Sequence, residues 1–235
     1  MTRILGLDTA THTSGIAILD DERVLAEARH DASGRSADLL VAIDAACTRA
    51  GLAPTELDAV AVGAGPGSFT GLRIGMATAK GIAFAAGRPL WIVSSLAALA
   101  ADARASLEPP RGVICAVLDA RRGEVFAGCF RAPTLEPVGT ERVLSPGELA
   151  DWARELAGAE PLSFAGDALA SYREVLEPLA DRWLLITTPS GVAVARLALA
   201  GPRIDVLASA APSYIRLSEA EVKYPDGVPG ALRKR

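Results

Sequence analysis

The sequence predicts an α/β chain of two units, each opening with a strand-turn-strand hairpin and continuing as a mixture of helices and strands. Three observations carry this expectation. Apolar runs in the first hundred residues fall in the order βββαβαβα, with alternating patterns giving way to helical spacing. Glu108-Pro109-Pro110-Arg111-Gly112 then breaks the pattern with residues that continue neither helix nor strand. Beyond the break, residues 113–118, a turn at Asp119-Ala120-Arg121-Arg122-Gly123, and residues 124–130 repeat the strand, aspartate, turn and strand of residues 4–19, with Asp8 and Asp119 at matching strand ends. The units expected are 1–108 and a smaller 109–235, with the final segment open to packing back on the first.

The elements follow in order. Residues 4–9, 14–19 and 23–29 read as an antiparallel meander joined around Thr11-His12-Thr13 and Asp20-Asp21. From Ser36, a fitting N-cap, to the stop at Gly51, Leu39, Leu40, Ile43, Ala46, Cys47 and Ala50 recur at helical spacing. Strand 58–62 precedes a glycine-rich turn and a helix reaching about Ala86; strand 90–93 then leads into an alanine-rich helix through Ala105. In the second unit, Ser145-Pro146-Gly147-Glu148 has the form of a capping box with proline at the first helical position.

Half of the 235 residues are hydrophobic and 22% charged, a composition that buries a core. No apolar stretch reaches the roughly 18 residues of a membrane helix, and Asp8 comes too early for a secretory signal, so a cytoplasmic protein is expected. Cys47, Cys115 and Cys129 are odd in number and lack C-x-x-C spacing, which points to buried thiols. His12 and His30 do not have the spacing of a histidine metal motif, so no metal site is expected. A net charge of −4 argues against a chain that binds nucleic acid unaided, and Arg233-Lys234-Arg235 reads as a solvated tail. Trp91, Trp152 and Trp183 are expected in packing rather than as base-stacking platforms.

The run from Gly63 to Gly75 is the most informative. Its glycines could bring backbone N–H groups up to an anion at a helix start, or could simply permit a tight strand-to-helix turn; neither common phosphate-loop signature is present. In the following helix, Gly71, Gly75 and Ala79 recur every four residues and form a face without bulk. That face fits close packing on the chain's own sheet or a subunit interface flanked by Leu72 and Met76.

Three segments, Ile4-Leu5-Gly6-Leu7-Asp8-Thr9-Ala10-Thr11, Gly65-Pro66-Gly67-Ser68-Phe69-Thr70-Gly71-Leu72-Arg73-Ile74-Gly75 and Asp119-Ala120-Arg121-Arg122-Gly123-Glu124-Val125-Phe126, with Pro212-Ser213-Tyr214-Ile215-Arg216 near the end, resemble the TsaB (YeaZ) family. The resemblance implies two ribonuclease-H-like domains of the actin, Hsp70 and sugar kinase (ASKHA) superfamily. It implies a non-catalytic scaffold for threonylcarbamoyladenosine (t6A) formation beside the tRNA anticodon, bound to the transferase TsaD and enabling recruitment of the ATPase TsaE. Contact with tRNA would be indirect, and a homodimer is an alternative assembly. The helix begun by Ser36-Ala37-Asp38 carries no histidine where TsaD presents its metal pair.

The interface so implied uses Leu39, Leu40, Ile43, Gly71, Leu72, Gly75, Met76 and Ala79, and a bulky residue at Gly75 is expected to weaken TsaD binding with the fold intact. No intrinsic cofactor is implied, ATP or ADP with magnesium entering only with the complex. The rival reading is an independent ATPase or small-molecule kinase, with Asp8, Thr9 and Thr11 holding magnesium and phosphate.

Overall fold

The computed structural model describes residues 1–31 and 36–216. The start of the loop toward the first helix and the terminal Arg233-Lys234-Arg235 lie outside the described residues, as do the side chains of Ser36 and Ala37. The first half runs β1 (Arg3–Asp8), β2 (Thr13–Asp20), β3 (Arg23–Asp31), α1 (Ser36–Arg49), β4 (Ala59–Gly63), α2 (Phe69–Ala86), β5 (Leu90–Val93) and α3 (Ser95–Ala105). Its five strands form one sheet in the order β3-β2-β1-β4-β5, antiparallel across the meander and parallel from β1 outward through β4 to β5.

The second half runs β6 (Val113–Arg121), β7 (Glu124–Arg131), β8 (Arg142–Leu144), α4 (Pro146–Ala157), β9 (Leu162–Ala165), α5 (Arg173–Leu176), β10 (Arg182–Leu184) and α6 (Gly191–Ala200). Its sheet order, β8-β7-β6-β9-β10, repeats the first, strand for strand and direction for direction. The echo between residues 4–19 and 113–130 is therefore an echo of topology.

The first sheet is covered on both faces, and this is why β1 and β4 are apolar throughout rather than alternating. Leu5, Leu7, Ile16 and Ile18 face Leu39 and Ile43 of α1 and Met76 and Ala79 of α2. Ile4, Ala17, Leu19 and Ala61 face Ala98 of α3 and Ala193, Val194 and Ala198 of α6. Helix α6 thus returns from the far end of the described chain to the first sheet. It does so at backbone contact: a Cβ at Gly6 would lie 2.0 Å from Gly191 O, and one at Gly191 would lie 2.3 Å from Ala17 N.

Helix α3 also reaches the second sheet, where Leu96, Leu99 and Ala103 pack with Ile114, Ala116 and Leu118. On the far face of that sheet, Leu149, Trp152 and Ala153 of α4 meet Cys115, Val117 and Phe164. Serines 68, 94, 145 and 190 cap α2, α3, α4 and α6, and Ser145 with Glu148 forms the full capping box expected. All three cysteines are free and buried. Trp91 and Trp152 are buried, and Trp183 stacks obliquely on Phe164 with centroids 6.4 Å apart.

Candidate functional site: an inter-sheet cleft and an apolar helix face

Asp8 ends β1 with its carboxylate turned inward and wholly buried. Ser95 Oγ donates to Asp8 Oδ2 at 2.6 Å and Ala10 N to Oδ1 at 2.8 Å. Gly63, alongside on β4, leaves the space for it, since a Cβ there would stand 1.9 Å from Oδ2. Burial, the largest influence, pushes the Asp8 carboxyl up to about 6 against the pull of those hydrogen bonds. Thr9 Oγ1 donates to Gly71 O at 2.8 Å, and Thr11 Oγ1 lies 2.8 Å from Thr13 O and 2.9 Å from Thr188 Oγ1.

These bonds bear directly on the magnesium reading. Both Asp8 oxygens are taken by internal donors, and of Asp8, Thr9 and Thr11 only Thr11 borders open space. A magnesium ion held through Asp8 does not fit this arrangement. The glycine-rich turn is similarly occupied: Gly65 N donates to Ser95 Oγ and Ser68 N to Ala10 O. At these two groups the loop acts as a turn that locks β4, α2 and the β1 end together.

Between the sheets lies a cleft of about 620 Å³. Thr11, His12, Pro66, Gly67 and Phe69 line it from the first half, and Asp119, Arg121, Arg122 and Asp167 from the second. Asp119 repeats the Asp8 device, its Oδ1 accepting from Arg121 N, two residues on, at 2.7 Å. Its own N–H donates to Asp167 Oδ1, whose carboxyl is raised chiefly by burial. Arg121 bridges the cleft, with Nη1 3.1 Å from Asp119 Oδ2 and Nη2 2.5 Å from His12 Nε2.

The small face of α2 is turned inward, which corrects the interface expected there. A Cβ at Gly75 would stand 2.1 Å from Thr9 Oγ1 and one at Gly71 2.2 Å from Thr9 O, so these glycines exist to let α2 lie against the end of β1. Leu39, Ile43, Leu72, Met76 and Ala79 are all buried within the chain. Gly75→Leu would accordingly disturb the fold itself. Of the eight residues expected at the interface, only Leu40, 51% exposed, presents bulk to solvent.

What α1 and α2 do present outward was missed in the sequence. Leu40, Thr55, Ala77, Gly81, Ile82 and Ala85 line an apolar groove of about 520 Å³, with Val41 and Phe84 exposed on the same two helices at 68% and 79%. The signal was present as the second small residue series of α2, Ala77, Gly81 and Ala85, four apart and offset from the first.

A family model described as TsaD, tRNA N6-adenosine threonylcarbamoyltransferase, matches residues 30–228. The tRNA threonylcarbamoyladenosine biosynthesis protein TsaB of Bacillus subtilis (strain 168) is 32% identical over 229 residues, covering 94% of this chain and 97% of its own. The chain belongs to the TsaB (YeaZ) family. The TsaB of Escherichia coli (strain K12) is 33% identical over 66% of this chain and 68% of its own. YeaZ from Pseudomonas aeruginosa superposes with a TM-score of 0.78 at 31% identity, covering 91% of this chain and 100% of that one. A second Pseudomonas aeruginosa structure, described as similar to the peptidase YeaZ, gives 0.79 at 30% identity over 92% and 100%.

Proposed function

We propose that this TsaB-family chain is the scaffold subunit for t6A modification of tRNA, docking TsaD and enabling recruitment of TsaE without catalysing the transfer. The observation that carries the reading is the similarity to the TsaB of Bacillus subtilis over 97% of that protein's length. The two sheets of identical order are read as two ribonuclease-H-like domains of the ASKHA superfamily. Asp8, the residue an independent ATPase of that fold would use, is sealed behind Ser95 and Ala10, which favours the scaffold over the kinase alternative. Any magnesium nucleotide then belongs to the assembled complex, and tRNA is met through the partners.

TsaD docks on the outward groove of α1 and α2. The TsaD family model matches this chain over most of its length, so the partner would bring a fold of the same kind, able to set like helices against like. Ala77, Gly81 and Ala85 permit a close helix approach, and Leu40, Ile82 and Phe84 supply apolar contact. Ala85→Glu or Leu40→Asp should abolish co-elution with TsaD from the same organism while leaving the melting temperature within a few degrees. Full co-elution of both variants would overturn the docking assignment.

A further inference from the structure

We propose that Cys115 and Cys129 form a redox site, a thiol pair that a two-electron oxidant such as hydrogen peroxide converts to a disulfide across β6 and β7. The proposal goes beyond the scaffold reading and does not depend on it. The two residues are direct partners in the antiparallel register of β6 and β7. Residues so opposed keep their Cα atoms about 4.5–5.5 Å apart, inside the range of about 4.4–6.8 Å that a disulfide spans. Both side chains lie in the cluster covered by α4, and Cys129 Sγ donates to Cys115 Sγ at 3.2 Å. Closure to a bond of about 2.05 Å therefore needs side-chain adjustment of about 1 Å and no change of register.

The sheet aligns the pair and also covers it. Both thiols are fully buried among Leu149, Trp152 and Phe164. Burial, with Cys129 alongside, pushes the Cys115 thiol well up, so little thiolate exists while the cover is closed. Reaction then follows local opening. The weak element is β8, three residues at the sheet edge paired with β7, whose Leu144 packs on the same cluster. Release of β8 with α4 uncovers the sulfurs while β6 and β7 stay paired. Cys47 packs in the first half with Leu39 and Ile43, in a cluster that holds neither of the other cysteines.

With peroxide as oxidant the chemistry balances. One thiolate attacks a peroxide oxygen, the O–O bond breaks, hydroxide leaves and a sulfenic acid remains. The second thiolate attacks that sulfur, the S–O bond breaks, hydroxide leaves again and the disulfide forms. The two protons given up by the thiols convert both hydroxides to water, and the two electrons lost by sulfur are those gained by the peroxide. The new bond spans the turn that carries Arg121 and Arg122, and so braces the hairpin that borders the cleft.

The test exposes the full chain to hydrogen peroxide, alkylates it in denaturant and reads intact mass and tryptic peptides. A monomer that takes up one alkyl group in place of three, at Cys47, with peptides 112–121 and 123–131 joined, is the expected result. Dithiothreitol should restore all three thiols. Urea below the unfolding transition should speed the linkage at least about fivefold, as local opening requires. The linked chain should melt at least about 3 °C above the reduced one. Cys47→Ala should link as the unaltered chain does, and Cys129→Ala should leave Cys115 outside any disulfide. Free or over-oxidised thiols in place of the linkage, a bond that includes Cys47 or a second molecule, a rate indifferent to urea, or a linked chain that melts no higher than the reduced one would each overturn the proposal.

Discussion

Asp8 is a buried acid whose charge the fold tolerates with difficulty. Its folded carboxyl titrates at about 6 against an ordinary 3.8, so the folded chain holds that proton more tightly than the unfolded one. Stability from this group is complete below 3.8, falls as pH rises to about 6, and stays lower above it. Asp8→Asn keeps the shape and removes the ionisation. It should therefore gain on the unaltered chain by about 1–3 kcal/mol in urea unfolding at pH 7.5, and lose that advantage at pH 4. An equal difference at both pH values would mean that the carboxylate is not strained by burial. The carboxylate was legible in the sequence as a strand-end aspartate, but its burial was not. That depends on Gly63 and Ser95, dozens of residues away, which no local pattern links to it.

At the scale of the helix, the two glycine series of α2 separate packing from surface. An alanine in place of a helical glycine gains roughly 1 kcal/mol of propensity when nothing opposes it. At Gly81 nothing lies within 4 Å, so Gly81→Ala should raise stability by about that amount. At Gly75 the added Cβ would meet Thr9 Oγ1 at 2.1 Å, and Gly75→Ala should lower stability by at least about 1–3 kcal/mol. Thermal melts of the pair decide it, and two shifts of the same sign would contradict the inward placement of Gly75. Periodicity alone predicted a face without bulk on this helix. It could not say which way that face points, because internal and external close packing demand the same residues.

The repeated sheet shows what the sequence could carry for the whole molecule. The β-meander, the Pro109-Pro110 break and the Asp119 hairpin were legible because each rests on local signals. The short β8 and β10 rest on pairing with β7 and β9, and the return of α6 to the first sheet rests on long-range contacts at Gly6, Gly15 and Gly191. Gly191→Val would drive a side chain into the β2 backbone, and loss of cooperative unfolding in both halves is the expected consequence. Unfolding of one half with the other unaffected would show that α6 does not tie them. The cleft was likewise hidden, since it is assembled from segments far apart in the chain, whereas the groove left a local trace in Ala77, Gly81 and Ala85.

The scaffold role itself is tested most directly by reconstitution. Purified TsaD and TsaE from the same organism, with tRNA, ATP and the threonylcarbamoyl donor system, would be assayed for t6A with this chain present, absent, or carrying Ala85→Glu. Modification that requires the unaltered chain and is lost with the groove variant is the expected result. Modification that proceeds equally without the chain, or equally with the variant, would contradict it.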